Sequence, residues 1–281
     1  MGALVAILQS DDSLLRCQLD RLKNHVSLED GETLPDGYGF GYYTAGNVLL
    51  GKRPTGATAR LTLPELVGKV DSEALLVHAR RATIGKPKDE NTHPFRFRRW
   101  LFAHDGTISG FDGVKPKLLA SLPDYLRRAV AGDTDSELAF LHFVKLLKED
   151  GRLDDLDLDE KSAGRALART VRQIEAWQRE VGEGKPSRLV FVATNGRIMV
   201  ATRRGGPLFY ALYEGIVPCG LDEIDLSTPE SDPRVRPHRR VKAVCFATRL
   251  TQPNGFIEVP EGSVVAVSRL LQVTVAPING S

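Results

Sequence analysis

The apolar positions change period several times along the chain, and each change predicts an element. Ala3 to Leu8 is an unbroken apolar run, as expected of a strand covered on both faces. Leu15, Leu19, Leu22 and Val26 then recur at helical spacing behind Ser10-Asp11-Asp12, which offers caps. Pro35-Asp36-Gly37 breaks the chain, and Gly39–Thr44 and Val48–Arg53 read as two strands joined at Ala45-Gly46-Asn47. Leu61–Val70 predicts a short helix or turn and Ala74–Ala82 a strand. Thr83–Pro94 predicts a polar loop, and Arg99–Ala103 a strand ending at His104-Asp105-Gly106.

The middle of the chain is helical in period. Pro123–Val130 is followed by Thr134-x-x-Glu137, a capping-box match ahead of the apolar run Leu138–Leu147, which stops at Asp150-Gly151. Ala163, Leu167, Val171, Ile174 and Val181 form the stripe of a second long helix. Strands return in the last third. Arg188–Ala193 and Arg197–Thr202 flank Thr194-Asn195-Gly196, a hairpin signal. Leu208–Tyr213, Val241–Thr248, Ser263–Ser268 and Gln272–Ala276 follow, while Asp222–Arg240, polar and proline-containing, reads as a surface loop. Strands, then helices, then strands, without βαβ alternation, predict an α+β fold with antiparallel sheets.

Composition narrows the function classes. The 281 residues are 42% hydrophobic and 26% charged, so a packed core is expected rather than disorder. Thirty-eight basic against 36 acidic residues leave a net charge of +2, which argues against a dedicated nucleic-acid binder. No apolar run is long enough to span a bilayer, and the first residues lack a basic signal-peptide region, so a cytoplasmic chain is expected, with no membrane partner. Cys17, Cys219 and Cys245 lie far apart. Their spacing supports neither a disulfide framework nor a CxxC zinc site, and they read as packing residues. Gly-rich phosphate loops and HExxH motifs are absent, so neither cofactor nor metal is expected.

Three segments concentrate polar residues near predicted strand ends or helix starts. They are His78-Ala79-Arg80-Arg81-Ala82-Thr83; Asn91-Thr92-His93-Pro94-Phe95 with Phe102-Ala103-His104-Asp105-Gly106; and Asp133-Thr134-Asp135-Ser136-Glu137. Each has a plain structural reading. His78 and His104 would be hydrogen-bonded core histidines, Asp105-Gly106 a turn, and the acidic trio a helix cap.

Taken in order, and with Pro35-Asp36-Gly37-Tyr38-Gly39 before them, these segments resemble the class II glutamine amidotransferases, a family of N-terminal-nucleophile hydrolases. They look most like the stand-alone members, which have no synthase domain. The resemblance runs over nearly the whole chain and implies a single domain over residues 1–281. Its fold would be a four-layer αββα sandwich of two antiparallel sheets. It also implies roles. Arg80 would hold the α-carboxylate of glutamine, Asp135 its α-ammonium, and Thr83 and Gly106 would line the same pocket.

Two positions depart from the family pattern. The family nucleophile is a cysteine that becomes the first residue and uses its own α-amine as base; here that position is Gly2. The family has asparagine, an oxyanion donor, where this chain has Asp105, next to Gly106. The expectation is therefore a catalytically degenerate relative. It would keep a head-group pocket for glutamine or a γ-glutamyl compound and act by binding or regulation, with room for a protein partner or a homo-oligomer. Two alternatives stay open: an active glutamine amidotransferase or γ-glutamyl amidohydrolase, with position 2 natural or engineered, and a non-catalytic subunit of a synthase complex.

Overall fold

The computed structural model describes residues 2–29, 34–54, 61–215, 219–225, 227–229 and 231–280. In chain order the strands are β1 (Ala3–Gln9), β2 (Gly37–Thr44), β3 (Asn47–Arg53), β4 (Ala74–Arg80), β5 (Phe95–Phe97), β6 (Trp100–Thr107), β7 (Arg188–Thr194), β8 (Met199–Arg203), β9 (Phe209–Glu214), β10 (Lys242–Ala247), β11 (Ile257–Glu258), β12 (Ser263–Val267) and β13 (Val273–Pro277). The helices are α1 (Leu15–Leu22), α2 (Leu63–Val67), α3 (Phe111–Ser121), α4 (Asp124–Arg127), α5 (Asp135–Glu149), α6 (Glu160–Glu180) and α7 (Val235–Arg240).

Among the described residues the strands form two antiparallel sheets, ordered β11-β9-β10-β1-β4-β2-β3 and β13-β12-β8-β7-β6-β5. Alternation along each strand builds three apolar layers. Leu4, Ala6 and Leu8 of β1 meet Leu101, Ala103, Val190 and Val192 of the other sheet in the central layer. Ala3, Val5 and Ile7 pack instead under α1 and α2, with Leu15, Leu19 and Leu66. Phe102, Phe191 and Val200 on the far side of the second sheet carry α3, α5 and α6. The result is helix, sheet, sheet, helix. β1 is covered on both faces and flanked by β10 and β4, which explains its apolar run.

The structure corrects several local expectations. β6 does not end in a turn at Asp105-Gly106 but runs paired to β7 as far as Thr107. β4 ends at Arg80 rather than Ala82. The 222–240 stretch is not all loop, since its last residues form α7; positions 226 and 230 lie outside the described residues. The Thr134 cap is half a capping box. Its hydroxyl accepts from Glu137 N–H at 3.2 Å, but the Glu137 carboxylate takes the N–H groups of Ala131 and Gly132, each at 2.8 Å. Val181 lies beyond the end of α6 and is exposed. No helix among the described residues is long and apolar enough to cross a membrane.

Candidate functional site

Four chain segments carry the expected site residues to one cavity of about 320 Å³: the start of β1, the end of β4 with its following loop, the end of β6, and the first turn of α5. Gly2, Arg80, Thr83, Asp105, Gly106 and Asp135 all line it. Antiparallel pairing brings these segments together. Gly37 pairs with Arg80, and the Asp36 carboxylate accepts from Ala82 N–H at 2.7 Å, so the turn before β2 fixes the end of β4.

The two charged residues are held from behind. Arg80 is buried, and one of its terminal nitrogens donates to the carbonyls of Ile84 and Gly85, each at 2.9 Å. Burial lowers the guanidinium pKa, while Asp36, Asp133 and Asp135 oppose that shift, and an arginine remains charged. Asp135 is also buried. Its Oδ2 accepts from Ile108 N–H at 2.7 Å and its Oδ1 from Ser136 N–H at 2.8 Å. These bonds leave lone pairs for a cationic ligand group. Thr83 Oγ1 and Thr107 Oγ1 share a hydrogen bond of 2.8 Å across the rim.

At the base of the cavity the chain is crowded. A Cβ placed on Gly2 would stand 2.7 Å from the Ala79 carbonyl oxygen, 3.2 Å from His78 Nε2 and 3.3 Å from Asp105 Oδ1. One on Gly106 would stand 2.0 Å from the Arg188 carbonyl oxygen, so the approach of β6 to β7 there requires glycine. Asp105 is buried, and loss of hydration raises its carboxyl pKa; a hydrogen bond with Thr248 and the charge of Arg188 pull the other way.

Three buried histidines complete the wall. His104 bonds through Nε2 to the Arg188 carbonyl at 2.7 Å and through Nδ1 to Ser136 Oγ at 2.9 Å. His78 and His93 lie with ring centroids 4.2 Å apart, and neither nitrogen of His93 has a hydrogen-bond partner. Burial lowers the His78 pKa to about 3 and that of His93 well below the usual value, so both rings are neutral at pH 7.

Residues 20–270 match the family model described as glutamine amidotransferases class-II. The chain is 33% identical over 208 residues to the probable glutamine amidotransferase DUG3 of Saccharomyces cerevisiae, covering 69% of this chain and 56% of that protein. The chain belongs to the class II glutamine amidotransferases. It spans about half the length of the curated relatives it matches first. In fold it is similar to a glutamine aminotransferase class-II domain protein from Silicibacter pomeroyi, with TM-score 0.62, 19% identity, and 98% of this chain and 99% of that one covered. A predicted glutamine amidotransferase from Pseudomonas aeruginosa superposes with TM-score 0.59 at 16% identity, covering 97% and 99%. The two sheets and their helix layers are thus those of the Ntn-hydrolase-like class II amidotransferases.

In this family member the six residues singled out in the sequence share one cavity. Arg188, Ser109 and Lys185 also line it and carried no signal in the sequence, because each sits in a strand or loop with no motif around it. His78 and His104, expected as core histidines, are buried as expected, and the structure also places them, with His93, at the cavity wall. Asp135 owes its position to the Thr134 cap. Thr134→Ala is expected to cost about 1 kcal/mol of stability, measurable by urea denaturation. An unchanged midpoint would show that the cap contributes nothing.

Proposed function

We propose that this chain binds glutamine or a γ-glutamyl compound by its amino-acid head group and does not hydrolyse it. Its part would then be that of a binding or regulatory protein on an amidotransferase scaffold. Arg80 offers a planar fork to the α-carboxylate, and Asp135 offers an anion to the α-ammonium. Thr83 and Gly106 would line the pocket between them. Support for substrate class comes from the family and from the name of the Saccharomyces cerevisiae relative, a probable glutamine amidotransferase.

The observation that carries the non-hydrolytic reading is the pairing of Gly2 with Asp105. We place the family's nucleophile at Gly2 and its oxyanion donor at Asp105. Glycine has no side chain to attack a γ-carbonyl. The Asp105 carboxylate, 3.3 Å from where a Cβ on residue 2 would stand, opposes the negative charge that would form on the carbonyl oxygen. Removing a single oxyanion donor typically costs about 2.7–4 kcal/mol, and replacing it by an anion costs more.

Isothermal titration with L-glutamine, run beside an assay for released glutamate, tests both halves. Saturable heat without glutamate is expected. Glutamate release by the unaltered chain would overturn the non-hydrolytic reading, and absence of binding at millimolar glutamine would overturn the pocket assignment. Gly2→Cys alone is expected to remain inactive even with its α-amine exposed, because the unchanged Asp105 carboxylate still opposes the charge that forms on the carbonyl oxygen. Only Gly2→Cys combined with Asp105→Asn supplies both groups, and glutaminase activity in the single variant would contradict this assignment.

A further inference from the structure

Apart from the residues that line the cavity, the fold assembles a second group of chemistry-bearing residues. Cys17 on α1, Cys219 and Asp222 in the segment after β9, and His238 on α7 each direct one donor atom to a common point, all four atoms lying within 4.8 Å of one another. We propose that these four residues form a structural zinc site.

The distances support a tetrahedron. With zinc–sulfur bonds of about 2.3 Å and zinc–oxygen and zinc–nitrogen bonds of about 2.0 Å, sulfur–oxygen edges come to about 3.5 Å and the nitrogen–oxygen edge to about 3.3 Å. Asp222 Oδ2 lies 3.4 Å from Cys17 Sγ, 3.8 Å from Cys219 Sγ and 3.0 Å from His238 Nε2. Two thiolates, an imidazole and a carboxylate at tetrahedral spacing are a donor set that selects zinc over magnesium or calcium. Both cysteines and His238 are buried, so the site is closed, as structural zinc sites are.

Outer contacts fit the same role. Asp222 is engaged by Arg16 through its other oxygen, Oδ1, which leaves Oδ2 for the metal. Arg234 donates to the Asp222 carbonyl at 3.0 Å, and Cys219 and Ile224 exchange backbone hydrogen bonds of 2.9 and 3.0 Å that close the intervening turn. Such contacts orient metal ligands. Binding Zn²⁺ releases the two thiol protons. The resulting complex of a dication with two thiolates and a carboxylate carries one net negative charge, which Arg16 faces. The metal then ties α1, the segment after β9 and α7 together. The three cysteines are buried, as packing residues are, and their spacing gives no sign of such a site, because the ligands come from three segments and only Cys219-x-x-Asp222 is local.

Metal analysis of the full chain purified without chelator, followed by titration of chelator-treated protein with Co²⁺, tests the site. Near-stoichiometric zinc is expected, with a thiolate-to-cobalt charge-transfer band and the visible absorption of tetrahedral cobalt. That band is expected to fall by about half in Cys17→Ser or Cys219→Ser, since one of two thiolates remains. It should be unchanged in Cys245→Ser, whose sulfur is buried elsewhere in the core. Wild-type protein without zinc and without a cobalt–thiolate band would overturn the proposal whether or not any variant folds. So would a Cys17–Cys219 disulfide found by intact mass under non-reducing conditions, or a band that survives loss of both cysteines.

Discussion

Acidification from the usual histidine pKa of 6.5 towards pH 3 is expected to destabilise the fold steeply. His78 and His142 have their pKa lowered to about 3 and His93 well below its usual value, in each case chiefly by burial. Within that window the unfolded chain binds a proton at each of these positions and the folded chain does not. Stability is therefore fully present above pH 6.5 and falls as pH drops. Each such histidine contributes a slope of about 1.4 kcal/mol per pH unit, so three give roughly 4 kcal/mol per unit. Asp105 and Glu137 act oppositely, because burial raises their folded pKa values and protonating them relieves a cost. Urea denaturation at several pH values between about 7 and 5 reads the net slope. His142 isolates one contribution, since it lies in the helix layer against Trp177, 3.1 Å from Ser121 Oγ and away from the cavity. His142→Gln should lower the slope by about one third of the histidine contribution, and an identical slope in this variant would count against the account.

Arg80→Ala is expected to weaken glutamine binding by about 2–5 kcal/mol, roughly 30-fold to several thousand-fold. The loss combines the missing bidentate contact with a ligand carboxylate left in a partly desolvated cavity. Arg80→Lys should not restore affinity. A lysine offers a single ammonium and cannot bridge both to the ligand and to the Ile84 and Gly85 carbonyls that hold the loop. Titration calorimetry with L-glutamine, with circular dichroism to confirm folding, checks the outcome. An Arg80→Ala protein that binds as tightly as the parent would remove the guanidinium from the site.

Much of this was legible in the chain because particular positions leave little choice. The apolar run of β1 follows from burial on both faces, and Thr194-Asn195-Gly196 forms the β7–β8 hairpin because Gly196 adopts a φ of 88° that suits glycine. Five of the six cavity residues lie in ordered motifs, and Gly2 follows from its place at the start of the chain. Other features left no local trace. α3 contains Gly113 and Pro116, which mask its short stripe of Phe111, Val114 and Leu118. β6 continues through His104-Asp105-Gly106, a sequence that reads as a turn, because its polar side chains face a cavity and a helix cap rather than solvent. The Cys17, Cys219, Asp222 and His238 cluster depends on tertiary placement alone.

The position of β1 between β4 and β10 also sets a timetable for synthesis. The hydrogen bond from Leu4 N–H to Thr248 Oγ1 joins residues 244 apart, and the whole β1–β10 ladder closes over a similar span. At translation rates of about 5–20 residues per second, β1 leaves the ribosome roughly 12–50 s before its β10 partner. Throughout that interval one long edge of a strongly apolar strand is unpaired, the condition that favours wrong pairing and aggregation. A nascent chain built this way gains from slow growth at low temperature or from a holding chaperone, and chains truncated before β10 are expected to collect in the insoluble fraction.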